Sequence, residues 1–130
     1  MAYNLCQRGV IKLKKILIVD DEEIVSRLVK TSLENLWPTL RVDVCNDGMG
    51  AVQQVRKLQP DLIFLDIQMP GISGSDIAMQ LKERPETKNI PIVFLTGMLT
   101  KEEARARGNQ IGGEYFLAKP VSIEELMATV

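Results

Sequence analysis

The stretch "PDLIFLDIQMPGISG", residues 60–74, decides the fold. Four large apolar residues, Leu62, Ile63, Phe64 and Leu65, run without a polar break and lead straight into Asp66. A continuous apolar block of this length fits a strand buried on both faces, as in a parallel sheet. "MPG" then turns the chain away and leaves one carboxylate at the strand tip.

Working outward, similar runs recur: "ILIV" (16–19), "VDVC" (42–45), "IVFL" (92–95) and "YFLA" (115–118). "VDVC" alternates in polarity and reads as an edge strand with one wetter face. Helical patterns lie between the runs. Val25, Leu28, Val29, Leu33 and Leu36 form a stripe of period 3.6 over 22–37, stopped by Pro38. Ala51, Val52, Val55 and Leu58 form a second stripe over 48–58, with Asp47 as its expected N-cap. Ile77, Ala78 and Leu81 form a third over 74–84. Thr100 and Glu103 stand in capping-box spacing before a weak helix over 100–110, and Ser122 and Glu125 do the same before the last helix. Strand and helix alternating five times is an α/β doubly wound pattern with helices on both sheet faces. Residues 1–13 read as an N-terminal extension and 14–130 as one domain, its last helix short enough to be a truncated one.

The composition excludes several function classes. The net charge of −1, with Lys and Arg dispersed, gives no footprint for direct nucleic-acid binding. No apolar run approaches the ~20 residues of a membrane span, and the start is no signal peptide. Cys6 and Cys45 match no metal or redox spacing, which points to a reduced, cytoplasmic setting. Histidine is absent, so imidazole cannot serve as base or metal ligand.

In an open parallel sheet, ligands bind beyond the carboxyl ends of the strands. Asp20, Asp21 and Glu22 follow "ILIV", Asp66 follows "LIFL", Thr96 and Gly97 follow "IVFL", and Lys119 and Pro120 follow "YFLA". Asn46, after "VDVC", has no evident role. Several carboxylates gathered within a few ångströms need a counter-charge, and an oxygen-only site that keeps waters favours Mg2+ over Zn2+. Such a site beside Lys119 and Thr96 is built to meet phosphate. Asp66 can then attack phosphorus and form an aspartyl phosphate.

Together, "ILIVDDEE", "PDLIFLDIQMPGISG", "IPIVFLTG" and "YFLAKPVS" resemble, in order and spacing, the signature blocks of response-regulator receiver domains, over residues 14–130. The resemblance implies a flavodoxin-like fold with a five-stranded parallel sheet in order 2-1-3-4-5. It makes Asp66 the phospho-acceptor. Asp21 becomes a direct Mg2+ ligand, Asp20 a ligand through water, and Gln68 the donor of a backbone carbonyl to the metal. Thr96 and Phe116 become the switch pair, and Lys119 the phosphate-binding amine before Pro120, whose peptide bond is often cis in the family. It further implies a histidine kinase or histidine phosphotransfer domain as phosphoryl donor. An output domain or kinase in the same full-length chain, and a homodimer formed on phosphorylation, stay open. The expected chemistry is self-catalysed phosphoryl acceptance with slow autodephosphorylation. Met98 cannot orient a hydrolytic water, so the expected phosphoryl lifetime is minutes or longer.

Three rival readings differ in testable ways. A Mg2+-dependent aspartyl-phosphate phosphohydrolase, of the haloacid-dehalogenase kind, needs an acid two residues after the nucleophile, where this chain has Gln68. A nucleotide-binding flavodoxin-like domain needs a glycine-rich loop after the first strand, where this chain has "DDEE". A receiver used only for docking has no need of the acids, Thr96 and Lys119 together.

Overall fold

A computed structural model describes residues 14–108, 110–111, 114–122, 124–125 and 128. The expected extension over 1–13 lies outside these residues. So does most of the expected last helix, of which Glu124, Glu125 and Ala128 are helical. The elements are β1 (Lys15–Val19), α1 (Glu23–Leu36), β2 (Arg41–Cys45), α2 (Ala51–Leu58), β3 (Leu62–Asp66), α3 (Gly74–Lys82), β4 (Ile92–Thr96), α4 (Lys101–Ala106), β5 (Gln110–Ile111) and β6 (Glu114–Ala118). The strands form one sheet in order β2-β1-β3-β4-β6-β5. The five longer strands are parallel neighbours and give the expected 2-1-3-4-5 arrangement, with β2 at its edge. The two-residue β5, which the sequence pattern did not suggest, pairs antiparallel with the start of β6.

The apolar runs form strands because both of their faces are covered. Ile16, Ile18, Leu62, Phe64, Val93 and Leu95 point to one side, where Leu33 of α1 closes the core. Leu17, Val19, Ile63, Leu65 and Phe94 point to the other, against Val55 of α2 and Ile77 and Leu81 of α3. Alternate residues of the same strand thus enter separate cores, which is why the sequence shows unbroken apolar blocks instead of alternation.

The helices differ from their expected spans in ways that have local causes. Asp47 does cap, but it caps a 3-10 turn at Gly48–Gly50, where its side chain accepts from the Met49 amide, and α2 begins only after that turn. α3 is capped by Ser73, which accepts from the Asp76 amide. α4 has the expected capping box of Thr100 and Glu103 but spans only six residues. Gly108, at φ +62°, takes the left-handed conformation just beyond it. On α1 the expected apolar stripe is only partly covered: Val25 and Leu28 are exposed and line a cavity of about 450 Å³ with Val29, Pro120 and Val121. No helix among the described residues is long and apolar enough to cross a membrane.

Candidate functional site

The parallel strands all end on one edge of the sheet, and the register aligns their tips. Asp66 pairs with Leu95 and Thr96 with Ala118, so the last residues of β3, β4 and β6 stand side by side. β1 ends one residue before Asp20, whose amide bonds to the Cys45 carbonyl of β2. Four segments far apart in sequence therefore converge at this edge.

Asp20 is fully buried and Asp66 is 4% exposed, while Asp21 faces solvent. One carboxylate oxygen from each lies within 4.8 Å of the others. Lys119 Nζ sits among the acids, 2.8 Å from Asp20 Oδ2, 2.9 Å from Glu22 Oε1 and 3.3 Å from Asp66 Oδ2. The Glu22 contact is a hydrogen bond. Asp20 Oδ2 is buried, and the Lys119 ammonium meets it as an ion pair. Asp20 Oδ1 accepts from the Glu22 amide at 2.9 Å, which sets the turn into α1. Asp66 Oδ1 accepts from the Gln68 amide at 3.3 Å.

Burial, reinforced by the charge of Asp20, pushes the Asp66 carboxyl from 3.8 up to about 6, although Lys119 and the Gln68 amide act in the opposite sense. Burial works against the Lys119 ammonium too. Its contacts with Asp20 and Glu22 outweigh that and hold it above the ordinary lysine range. The donor set fits a hard divalent cation: one carboxylate oxygen from each of three acids lies within reach of a single ion, and two of the three carboxylates are buried. Asp21, on the solvent side, leaves room for retained waters.

Thr96 is buried, and its Oγ1 accepts from the Met98 amide at 3.0 Å. The hydroxyl proton is not committed by that bond, because Oγ1 is the acceptor in it. The Thr96 carbonyl accepts from the Lys119 amide at 2.8 Å, which links the two segments directly. The Lys119–Pro120 peptide is cis. Phe116 is half-buried and lies away from the carboxylates in sequence register, opposite Phe94. Their rings stack at 5.1 Å with an interplanar angle of 24°. The Met98 side chain is exposed.

Three residues to which the sequence pattern assigned no role shape the site. Glu22 was visible in "DDEE", but its hydrogen bond to Lys119 spans 97 positions and has no local signature. Asn46 Nδ2 donates to the Asp20 carbonyl at 2.7 Å and to Ser26 Oγ at 2.9 Å, tying the tip of β2 to the acidic turn and to buried Ser26 in α1. Gly74 packs so closely under β3 that a Cβ there would stand 2.2 Å from the Asp66 carbonyl oxygen. Only glycine permits that approach, and it lets the Gly74 amide reach the Ile67 carbonyl at 2.8 Å. The signal was the second glycine of "MPGISG", but nothing local distinguishes it from a turn glycine such as Gly71, at φ +84°.

Residues 16–130 match the family described as the response regulator receiver domain. The phosphate regulon transcriptional regulatory protein PhoB of Rhizobium meliloti is 39% identical over 118 residues, which cover 91% of this chain and 51% of that protein. The chain thus spans about half the length of that relative. The polar-differentiation response regulator DivK of Brucella anthropi is 33% identical over 119 residues, covering 90% of this chain and 93% of DivK. Among solved structures, the signal receiver domain of a DNA binding response regulator protein (merR) from Colwellia psychrerythraea superposes with a TM-score of 0.75 at 29% identity, covering 89% of this chain and 94% of that one. The chemotaxis protein CheY4 of Vibrio cholerae gives a TM-score of 0.74 at 27% identity over 91% and 96% of the two chains. These relatives favour a phospho-accepting signal receiver over a phosphohydrolase. With this fold, this acidic edge and these matches, the chain belongs to the response regulator receiver domain family.

Proposed function

We propose that Asp66 is the residue that accepts the phosphoryl group, with Mg2+ bound by Asp21, Asp66 and the Gln68 carbonyl and by Asp20 through a water. The observation that carries this reading is the meeting of three carboxylates with Lys119 at the ends of β1, β3 and β6. Mg2+, when bound, supplies charge neutralisation for the phosphoryl oxygens. Asp66 Oδ attacks phosphorus in line. An O–P bond forms, the P–N bond of a phosphohistidine on the partner breaks, and the imidazole leaves and takes a proton from solvent. Lys119 offers its ammonium to one phosphoryl oxygen, and Thr96 donates its hydroxyl proton to another. Drawn toward the phosphoryl group, Thr96 vacates space beside β4, into which Phe116 turns, so the surface around α4 changes.

The phosphoryl donor is a histidine kinase or a histidine phosphotransfer domain, since this chain has no histidine of its own. The receiver occupies 14–130, with 1–13 as an extension, and acts within the cytoplasm. The change at α4 is read by an output domain or kinase in the same full-length chain, or by a second copy in a phosphorylation-dependent homodimer. Beyond accepting and slowly losing this group, the domain turns over no substrate. Incubation with Mg2+ and acetyl phosphate, followed by intact-mass measurement, tests the assignment. One phosphoryl group is expected, absent in Asp66→Ala and labile as an acyl phosphate. An undiminished adduct in Asp66→Ala would overturn it.

A further inference from the structure

Lys119 has one positive charge and three acids facing it, and the three are not equivalent. Asp20 and Asp66 are buried and held by the Glu22 and Gln68 amides, so neither can move off easily. Glu22 has a side chain 55% exposed. It occupies the N-cap position of α1, where a short polar side chain ordinarily accepts from a helix amide, yet its carboxylate makes no capping bond. It reaches across the pocket mouth to Lys119 Nζ instead, at 2.9 Å, while Asp66 Oδ2 lies at 3.3 Å from the same nitrogen. A half-exposed carboxylate regains water when it lets go, so this is the contact that yields at least cost.

We propose that Glu22 is a positioning residue that tethers Lys119 at the rim of the pocket in the unphosphorylated protein and releases it when a phosphoryl group arrives at Asp66. The inference rests on the assignment of Asp66 and Lys119 above. The tether competes with the incoming phosphoryl oxygen for the ammonium, so it slows acceptance and weakens binding of a phosphoryl analogue. Its contribution is short-ranged, which separates it from general repulsion between Glu22 and an anionic donor.

Two variants divide these effects. Glu22→Gln removes the charge and keeps the reach; Glu22→Asp keeps the charge and shortens the reach by one methylene. Beryllofluoride affinity and the rate of phosphorylation by acetyl phosphate, with Mg2+, are measured at about 0.05 M and about 0.5 M salt. The tether predicts that both variants gain about two- to fivefold in both measurements at low salt, the scale of an exposed ion pair, and that Glu22→Asp, whose charge is unchanged, still gains at high salt although screening reduces the gain. It also predicts that the 13Cε resonance of Lys119 in metal-free protein moves in both. A gain confined to Glu22→Gln and erased by salt, or no gain in either variant, overturns the tether. Phosphorylation of the unaltered protein at Asp66 is checked in parallel. If it is present and the Glu22 variants are unchanged, only this inference fails. If it is absent, the assignment of the site fails and the tether falls with it.

Discussion

Replacing Asp66 by asparagine is predicted to stabilise the metal-free protein, because the buried Asp66 carboxylate is a burden on the fold. Burial and the charge of Asp20 raise its carboxyl from 3.8 to about 6. A carboxyl that binds its proton more tightly when folded adds stability at low pH, and loses it as pH rises from 3.8 through about 6. That gap, at 1.36 kcal/mol per pH unit, comes to about 3 kcal/mol once the group is ionised. Asparagine keeps the shape of the neutral acid but lacks a proton to lose. At pH 7.5 in EDTA, Asp66→Asn is expected to be more stable by about 1–3 kcal/mol. For a chain of 130 residues, with an unfolding entropy of about 2.1 cal/mol/K per residue, that is a rise in Tm of roughly 4–11 °C. The difference shrinks toward zero near pH 4, where the native carboxyl is protonated. Millimolar Mg2+ raises the Tm of the unaltered protein and not that of the variant, narrowing or reversing the order. Thermal melts across pH, with and without Mg2+, read all three effects. A variant that is less stable at pH 7.5 in EDTA, or an advantage that does not decline with falling pH, would show that the Asp66 carboxylate is no burden on the fold.

Other perturbations have equally direct readouts. Gly74→Ala forces a Cβ against the Asp66 carbonyl oxygen, and should cost about 1–3 kcal/mol in a denaturant melt as well as weaken Mg2+ binding, because β3 must shift to admit it. Lys119→Met leaves fully buried Asp20 without its counter-ion. The metal-free protein should lose on the order of 3 kcal/mol, with Mg2+ restoring more of the Tm than it does in the unaltered protein. Asn46→Ala removes two hydrogen bonds at the Asp20 turn, so a fall in stability of about 1–2 kcal/mol should accompany a weaker Mg2+ titration. The phosphoryl group on Asp66 should persist for minutes or longer, since exposed Met98 offers no group to orient water; radiolabel decay within seconds would contradict this.

The unbroken blocks "ILIV", "LIFL" and "IVFL" fit two-sided strands, and they led to a parallel sheet with its acids on one edge. Strand tips are legible because a charge directly after an apolar run has one place to go. The helices were less legible. Asp47 was recognisable as a cap, but nothing local in the pattern said that it caps a 3-10 turn, whose buried Gly48 has no room for a Cβ beside Ile72. The short β5 has no pattern of its own and exists only by pairing with β6.

By itself, the sequence determined the sheet, its order through family resemblance, and the identity of the groups at its edge, since periodicity and strand-end chemistry are local properties. Only the tertiary structure decided that Glu22 bonds to Lys119, that Asn46 braces Asp20 and that Gly74 lies under Asp66. The two hydrogen-bonded contacts join residues 26 and 97 positions apart. They depend on distances that exist only after strand register has aligned the tips, and no neighbouring residue encodes them.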